Sequence, residues 1–523
     1  MDFVIPLDNQ STAPLHRQLS DELRRAILTG RLVPGERLPS TRAMAGLLGV
    51  SRVTVTQSYE DLISEGYLQA AHGSGTFICQ QLPEELLRPA PLRSDSRAAR
   101  TTGRAWRLSA YGGSIGCAES AGEATNRHLI SFRYGTPSFE QFPWRQWGRL
   151  LSRHARAASR TVFDYHADES GYRPLREAIA RYLARARAAR CAADQVVIVS
   201  GSQQGLDLIA RLLLDRGDQV AVEDPCYLGA RRIFEATGAR LFSVPVDESG
   251  IEVERLTARS VPQIKLVYVT PSHQFPTGAL LSLPRRLALI AWAEQRGAVI
   301  VEDDYDSEYR YGGRPVPALQ GLDQSGSVIY VGTFSKVMFP SLRIGYLVVP
   351  SGVARVFARA RWLADRQSPM LEQCALADFI NEGHLERHIR RMRTLYDRRR
   401  QALVRALASH FGGRVTVMGE SAGMHLMARL QTGIGDEEVI ARAARAGVEM
   451  ISARPNYLRG RPAGEFIFGY SDLSERKILE AVRRLDRALG GPGPSFITAS
   501  AVTGDQPPDH NPQAQADAEN HAG

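Results

Sequence analysis

The chain has 523 residues, of which 43 % are hydrophobic and 23 % charged, with a formal net charge of +9. This is long enough for two or three domains with buried cores, which argues against a disordered protein. No run of 18 uncharged apolar residues occurs and the N-terminus lacks a secretory signal pattern, so we expect a cytoplasmic protein without a membrane segment. The five cysteines lack CxxC spacing, which predicts neither a disulfide framework nor a metal site.

The N-terminal segment has the pattern of three helices followed by a β-hairpin. Apolar residues recur at helical spacing within Leu15–Leu28. Ser40 and Ser51 are placed to cap two further helices, and Gly49 allows the tight turn between them. Residues 67–78 have a glycine-rich tip, which predicts a hairpin, or wing. This spacing is typical of a winged helix-turn-helix.

Residues 1–80 resemble the DNA-binding domain of GntR-type bacterial transcription regulators. The resemblance rests on Leu-Pro-Ser-x-Arg at 38–42, Leu-Gly-Val-Ser-Arg-x-Thr-Val at 48–55 and Gly-Ser-Gly-Thr at 73–76. It implies binding to a double-stranded DNA operator. The candidate DNA contacts are Arg42, Ser51, Arg52, Thr54, Gln57, His72 and Gly73. A small helical dimerisation module with the same geometry is the alternative.

Composition divides the remainder of the chain into three parts. Residues 81–125 are rich in proline, serine, arginine and alanine without apolar periodicity, which predicts a flexible linker. Residues 126–490 alternate strand-like and helix-like patterns, which predicts a mostly parallel α/β sheet with a smaller C-terminal α+β lobe. Residues 491–523 are rich in proline, glycine, alanine, aspartate, glutamine and asparagine, which predicts a disordered tail. The expected fold class is therefore multidomain.

Lysine is scarce in this sequence, because only Lys265, Lys336 and Lys477 occur among the 65 lysines and arginines. Lys336 lies between two apolar runs, at 327–331 and 344–349. An amine can condense with an aldehyde, whereas a guanidinium with a pKa above about 12 cannot. Lys336 is therefore a candidate to bind a carbonyl cofactor, and a solvated surface lysine is the alternative.

Over residues 130–490 the chain resembles the fold-type I, pyridoxal-phosphate-dependent aminotransferases. The resemblance is carried by the polar loops that follow the predicted strands, including the Lys336 stretch. It implies a site for pyridoxal 5′-phosphate, with no metal. The implied residues are Lys336 for the internal aldimine, Ser202, Gln203, Thr333, Ser335 and Arg343 for the phosphate, Tyr227 for stacking on the ring, Asp303 for the ring nitrogen and Tyr305 for the 3-oxygen.

Two positions depart from the pattern of these enzymes. Phe275 stands where they carry an asparagine that binds the cofactor's 3-oxygen. Ile467 stands where they carry the arginine that binds the substrate carboxylate, which disfavours sustained turnover. The candidate replacements are His273 and Gln274 for the asparagine, and Arg231 and Arg454 for the arginine.

The fusion of these two parts resembles the MocR/GabR-type regulators, which the variant segment at 270–278 and the acidic run at 302–309 also favour. The resemblance implies a head-to-tail homodimer that regulates transcription and senses a small amine or amino-acid effector, or pyridoxal phosphate itself. One alternative is an active pyridoxal-phosphate-dependent aminotransferase with an accessory DNA-binding domain. The other is a repressor whose body no longer uses the cofactor and serves as a dimer scaffold.

Overall fold

The structure is a computed structural model, and it describes residues 5–71, 73–83, 107–116, 129–157, 164–165, 168–258, 260–312 and 316–490. The chain divides into two compact units, residues 1–106 and 107–523. Most of the predicted linker, the whole predicted tail and His72 lie outside the described residues. Within those ranges, none of the helices combines the length and hydropathy that a membrane span requires.

The N-terminal unit has the predicted three helices and a small sheet of order β1-β3-β2. Ser40 and Ser51 each accept a hydrogen bond at 3.2 Å from a backbone N–H of the helix that they precede. Gly49 has a left-handed φ of +65° at the end of the second helix, as the turn requires. The elements are α1 Leu15–Leu28, β1 Arg37–Leu38, α2 Thr41–Leu48, α3 Arg52–Ser64, β2 Leu68–Ala71 and β3 Gly75–Ile78.

The second unit is built on an eight-stranded sheet of order β5-β12-β11-β10-β9-β6-β7-β8. Its strands are β5 Val196–Val199, β6 Gln219–Asp224, β7 Arg240–Asp247, β8 Gly250–Ile251, β9 Ile264–Val269, β10 Val299–Asp304, β11 Val328–Thr333 and β12 Gly345–Val348. Strands β7, β6, β9, β10 and β11 pair in parallel, as predicted. Because β12 runs against both β11 and β5, β5 points the same way as the parallel strands. Their carboxyl ends therefore meet at one edge of the sheet.

Helices cover both faces of this sheet, so its strands are buried on each side. Alternate residues of β11 illustrate this, since Ile329 and Val331 join one apolar cluster and Tyr330 joins another. The helices up to the smaller lobe are α4 Ala110–Gly116, α5 Trp144–Arg156, α6 Arg173–Arg187, α7 Ser202–Leu213, α8 Leu228–Ala236, α9 Leu283–Arg296, α10 Leu319–Leu322 and α11 Ser351–Asp365.

The smaller C-terminal lobe has the predicted α+β character. Its sheet has the order β13-β14-β17-β16, and β4 pairs in parallel with β15. The strands are β4 Ile130–Ser131, β13 Val415–Met418, β14 His425–Leu430, β15 Val448–Glu449, β16 Ile451–Ser452 and β17 Glu465–Gly469. The helices of this part are α12 Met370–Asn381, α13 His384–Phe411, α14 Asp436–Arg445 and α15 Glu475–Ala488.

One short helix lies within residues 81–125, for which the sequence predicts a flexible linker. The helix α4 occupies Ala110–Gly116 within that range. The Ser109 hydroxyl accepts a hydrogen bond from the backbone N–H of Gly112 at 3.1 Å, which is an N-cap. A serine cap starts this short helix despite the absence of an apolar period.

Candidate functional site

A cavity of about 190 Å³ lies at the carboxyl edge of the large sheet. All nine residues of the predicted cofactor set line it: Ser202, Gln203, Tyr227, Asp303, Tyr305, Thr333, Ser335, Lys336 and Arg343. They come together because the loops after β5, β6, β10 and β11 meet where these strands end.

Lys336 follows β11 and directs its amine into this cavity. Its Nζ donates a hydrogen bond to the carbonyl oxygen of Gly135 at 2.8 Å. Burial lowers the pKa of the amine, against the opposing charges of Asp306 and Asp303. A lowered pKa increases the fraction of neutral amine, the form that attacks an aldehyde.

Asp303 and Asp304 are consecutive residues of β10 that serve opposite faces of the sheet. Asp303 lines the cavity and accepts a hydrogen bond from the Tyr268 hydroxyl at 2.7 Å through Oδ2. Its Oδ1 is buried without a hydrogen-bond partner. Asp304 instead binds the Arg187 guanidinium at 2.7 Å and accepts from the Tyr330 hydroxyl at 2.6 Å. Asp304 Oδ1 is also buried without a partner, but of the two residues only Asp303 lines the cavity.

Burial raises the pKa of Asp303 to about 7, although the hydrogen bond from Tyr268 opposes this rise. A buried carboxylate oxygen without a donor is costly and rare in native structures. The unpaired Oδ1 therefore fits a ligand that supplies a cationic N–H at this point.

The opposite end of the cavity is suited to an anion. Ser202 is the first residue of α7, whose N-terminal N–H groups and helix dipole favour a negative charge. The Arg343 guanidinium lies beside this helix end and donates to the carbonyl oxygen of Ser200 at 2.6 Å. Gly201 leaves room for the arginine, because a Cβ there would lie 2.7 Å from Nη2. On the facing loop, the Ser335 N–H donates to Thr333 Oγ1 at 3.2 Å.

Aromatic rings form the wall between these two ends. The Tyr227 ring packs edge-to-face on Phe275, with a centroid separation of 5.7 Å. The Tyr227 hydroxyl donates to Gln203 Oε1 at 3.4 Å, and burial raises the pKa of this phenol to about 12. The ring is thus neutral and fixed in place, as stacking on a flat ligand requires.

Tyr305 is hydrogen-bonded to the variant segment at 270–278. Its hydroxyl donates to the backbone oxygen of His273 at 2.9 Å, and His273 Nδ1 lies 3.1 Å from the Asp306 carboxylate. Gln274 bonds Glu223, Pro225 and Phe275 and so braces its own loop. Neither candidate replacement for the missing asparagine lines the cavity. Hydrogen bonds of the loop use the Gln274 amide and His273 Nδ1, whereas His273 Nε2 is buried without a partner.

Neither candidate replacement for the missing arginine lines the cavity either. Arg231 Nε binds Glu235 at 3.0 Å, and the guanidinium also donates to the backbone oxygen of Pro455. Arg454 is exposed on the short helical turn after β16. Ile467 itself is only 1 % exposed and packs in an apolar cluster with Phe275.

The predicted DNA contacts lie at the start of α3, on α2 and at the wing. Arg42, Ser51, Arg52, Gln57 and Gly73 are exposed, and Thr54 is half-buried. The Ser51 hydroxyl caps α3, and Arg52 Nε lies 3.4 Å from Thr41 Oγ1. His72 lies outside the described residues, so this prediction is not compared with the structure.

Sequence reasoning missed several residues of both sites. Arg37 is exposed on β1 with its guanidinium against Gly75 of the wing, so it joins the candidate DNA contacts. Gly135, Tyr268 and His425 line the cavity. Tyr268 occupies an apolar strand and has the pattern of a core residue, so only its contact with Asp303 identifies it.

The cavity fits pyridoxal phosphate on three separate grounds. The unpaired Asp303 Oδ1 suits the protonated ring nitrogen, and the α7 N-terminus with Arg343 suits the phosphate. The buried amine of Lys336 suits the aldehyde. These three groups belong to one cavity, so a single molecule can satisfy all of them.

Comparison with known proteins assigns both units to families. Residues 15–78 match the family "Bacterial regulatory proteins, gntR family", and residues 128–465 match "Aminotransferase class I and II". The probable rhizopine catabolism regulatory protein MocR of Rhizobium meliloti is 40 % identical over 93 % of this chain and 96 % of its own. The HTH-type transcriptional regulator TauR of Rhodobacter capsulatus is 33 % identical over 93 % of this chain and 100 % of its own.

Among solved structures, LysN, the α-aminoadipate aminotransferase of Thermus thermophilus, is 32 % identical to this chain with a TM-score of 0.64. The match covers 69 % of this chain and 92 % of LysN, which was solved with N-(5′-phosphopyridoxyl)-L-leucine. The fold is thus that of the fold-type I aminotransferases, and their cofactor is pyridoxal phosphate. The chain therefore belongs to the MocR-type regulators of the GntR family, in which a GntR-type DNA-binding domain precedes an aminotransferase-like domain.

Proposed function

We propose that this protein is a transcription regulator that binds pyridoxal phosphate at Lys336 and changes its affinity for an operator when a small effector reaches the cofactor. The observation that carries the proposal is the convergence of Lys336, Asp303 and Arg343 on one cavity, in a chain that also has a GntR-type domain. When bound, pyridoxal phosphate supplies an aldehyde that exchanges amines and a ring whose absorbance reports on the attached amine.

The residues of the cavity take separate parts in this proposal. Lys336 holds the cofactor, and Asp303 keeps a proton on the ring nitrogen. Arg343 and the α7 N-terminus would bind the phosphate, and Tyr305, braced by His273, would bind the 3-oxygen. Tyr227, which packs on Phe275, would stack on the ring.

We further propose a homodimer with a head-to-tail arrangement, acting in the cytoplasm where the DNA is. The proposed division of the chain is a DNA-binding domain at 1–80, a linker at 81–125, an effector domain at 126–490 and a tail at 491–523. Arg42, Arg52 and the wing would bind the operator backbone and bases. Regulation requires that the effector bind two arrangements of the dimer with different affinities.

An active aminotransferase with an accessory DNA-binding domain is the second candidate. The apolar surroundings of Ile467 disfavour it, because among the described residues no arginine besides Arg343 lines the cavity. Sustained production of a keto acid from an amino acid by the purified protein would favour the enzyme over the regulator.

The experiment is an absorbance spectrum of the full chain with pyridoxal phosphate, before and after borohydride reduction, followed by peptide mapping. We expect a visible band and a reduced adduct on Lys336. The chain offers a matched control, because Lys265 and Lys477 are both exposed lysines. Lys336→Ala should abolish the band and the adduct, whereas Lys265→Ala and Lys477→Ala should retain both. A band retained by Lys336→Ala overturns the proposal.

A further inference from the structure

We propose that the effector is a primary amine that carries no carboxylate. The inference rests on the proposed function, because it concerns the ligand that meets the cofactor beside Lys336. It follows from the charges that line the cavity and from the apolar wall around Ile467.

The first argument concerns the cationic side chains that could bind an effector carboxylate. Of the residues that the structure shows lining the cavity, Lys336 and Arg343 are the only lysine or arginine side chains. Arg343 is fixed at the α7 N-terminus by its 2.6 Å hydrogen bond to Ser200, where it serves the phosphate. Lys336 is needed for the aldehyde. No described cation of the lining therefore remains to pair with an effector carboxylate.

The second argument is the apolar wall, a cluster of which Phe275, Tyr134 and Tyr227 line the cavity while Ile467 and Met427 do not. Ile467 of β17 pairs with Met427 of β14, and both are 1 % exposed. They form one apolar cluster with Phe275 and Ala453, against which Tyr134 and Tyr227 pack. A carboxylate brought to this wall would lose its hydration without gaining a hydrogen bond or a counter-ion.

The nearby arginines Arg429 and Arg231 are bound to carboxylates, and the exposed Arg454 does not line the cavity. Arg429 of β14 binds the buried Glu465 at 2.6 Å, and the Tyr457 hydroxyl donates to the same carboxylate at 2.6 Å. Arg231 is bound to Glu235. Moving Arg429 towards the cavity would leave Glu465, which is 1 % exposed, without its cationic partner.

The third argument is that the lining holds acceptors for the ammonium group of an incoming ligand, beside the hydroxyl and amide donors of Ser202, Gln203 and Thr270. The Gly135 carbonyl oxygen already accepts from the Lys336 amine, and the Asp306 carboxylate, which also accepts from the Met424 N–H at 3.2 Å, lines the cavity. Both suit an ammonium group. The aromatic rings suit a neutral organic body on that amine.

The test compares amines with the amino acids that differ from them only by a carboxylate. The pairs are ethylamine with alanine, phenethylamine with phenylalanine, and tyramine with tyrosine. Each is titrated into the full chain loaded with pyridoxal phosphate, and the absorbance of the bound cofactor is recorded. We expect the amine of each pair to reach half-saturation at a concentration at least tenfold lower than its amino acid.

A substitution at the apolar wall tests the cause of this preference. Ile467→Arg places a cation in the wall and should move the preference at least tenfold towards the amino acids, whereas Ile467→Val should leave it unchanged. The comparison on the unaltered chain stands even where Ile467→Arg fails to fold.

Equal or tighter binding of the amino acids, or no response to any of the amines, overturns this inference. Both results leave the proposed function intact as long as the borohydride adduct on Lys336 is found. Loss of that adduct overturns the proposed function instead, so the two failures are distinguishable.

Discussion

The side-chain nitrogen of Lys336 lies 2.8 Å from the carbonyl oxygen of Gly135, a residue 201 positions earlier in the chain. Gly135 has a left-handed φ of +78°, and a Cβ at this position would lie only 2.4 Å from the lysine nitrogen. The glycine therefore both holds the amine and leaves the space that it occupies.

Gly135→Ala should displace the Lys336 amine and reduce occupancy by pyridoxal phosphate at least tenfold at a subsaturating cofactor concentration. The free energy of unfolding should fall by only about 1 kcal/mol, the cost of a left-handed alanine. Gly217→Ala is the matched control, since Gly217 has a φ of +96° with no atom near its Cβ position. Absorbance titration and chemical denaturation measure the two effects, and normal loading of Gly135→Ala would contradict the role of this contact.

The affinity for pyridoxal phosphate should rise as the pH increases from about 6 to about 8. The ring nitrogen needs an ionised Asp303, whose pKa in the empty cavity is raised to about 7 by burial. Deprotonation of Lys336 also raises the affinity with rising pH. Asp303→Asn should therefore reduce the pH dependence of the affinity without removing it. Binding isotherms at several pH values check this, and an affinity that falls with rising pH would refute it.

The same raised pKa has the opposite consequence for the stability of the cofactor-free protein. Between about pH 4 and pH 7 the folded state keeps a proton on Asp303 that the unfolded chain loses, so the free energy of unfolding declines as the pH rises. Asp303→Asn cannot ionise and should show a smaller decline. Urea denaturation at pH 5 and pH 7 tests this, and identical pH dependence in both proteins would exclude Asp303 as the cause.

Removing Arg187 should be strongly destabilising, because its partner Asp304 is only 1 % exposed on its side chain. Arg187→Met leaves that carboxylate buried without its cation, which costs about 3–5 kcal/mol. Arg185→Met is the control on the same helix, since Arg185 pairs with Glu386 at the surface and should contribute less than about 1 kcal/mol. Denaturant unfolding of both variants distinguishes a buried pair from an exposed one, and equal losses would contradict the assignment.

Arg52→Ala should weaken binding to a random-sequence DNA duplex and reduce the salt dependence of that binding by about one phosphate contact. Arg52 is exposed at the start of α3, so the stability of the fold should be unchanged. Arg25→Ala is the control, because Arg25 lies on α1 and pairs with Glu22. Fluorescence anisotropy over a range of salt concentrations measures the slope, and equal slopes for the two variants would remove Arg52 from the DNA contacts.

Local sequence determined the helices and strands of both units, because apolar spacing, helix caps and turn glycines each act over only a few residues. Helical spacing within Leu15–Leu28, the serine caps and Gly49 predicted the N-terminal helices, and each is present. Apolar runs bounded by polar loops predicted the parallel strands, and β10 continues past its apolar residues to Asp304. The likeness to known families then supplied the nine cofactor residues, all of which line one cavity.

Only the tertiary structure decided which partner each of several consecutive polar residues binds. In the run after Val301, Glu302 accepts from the N–H groups of Leu319 and Gln320 at the start of α10, Asp303 faces the cavity and Asp304 binds Arg187. The sequence shows only a row of carboxylates. The partner of each carboxylate depends on which elements of the fold pack against the two faces of β10. Likewise Gly135, Tyr268 and the bracing role of Gln274 depend on partners far away in the chain, which no local pattern encodes.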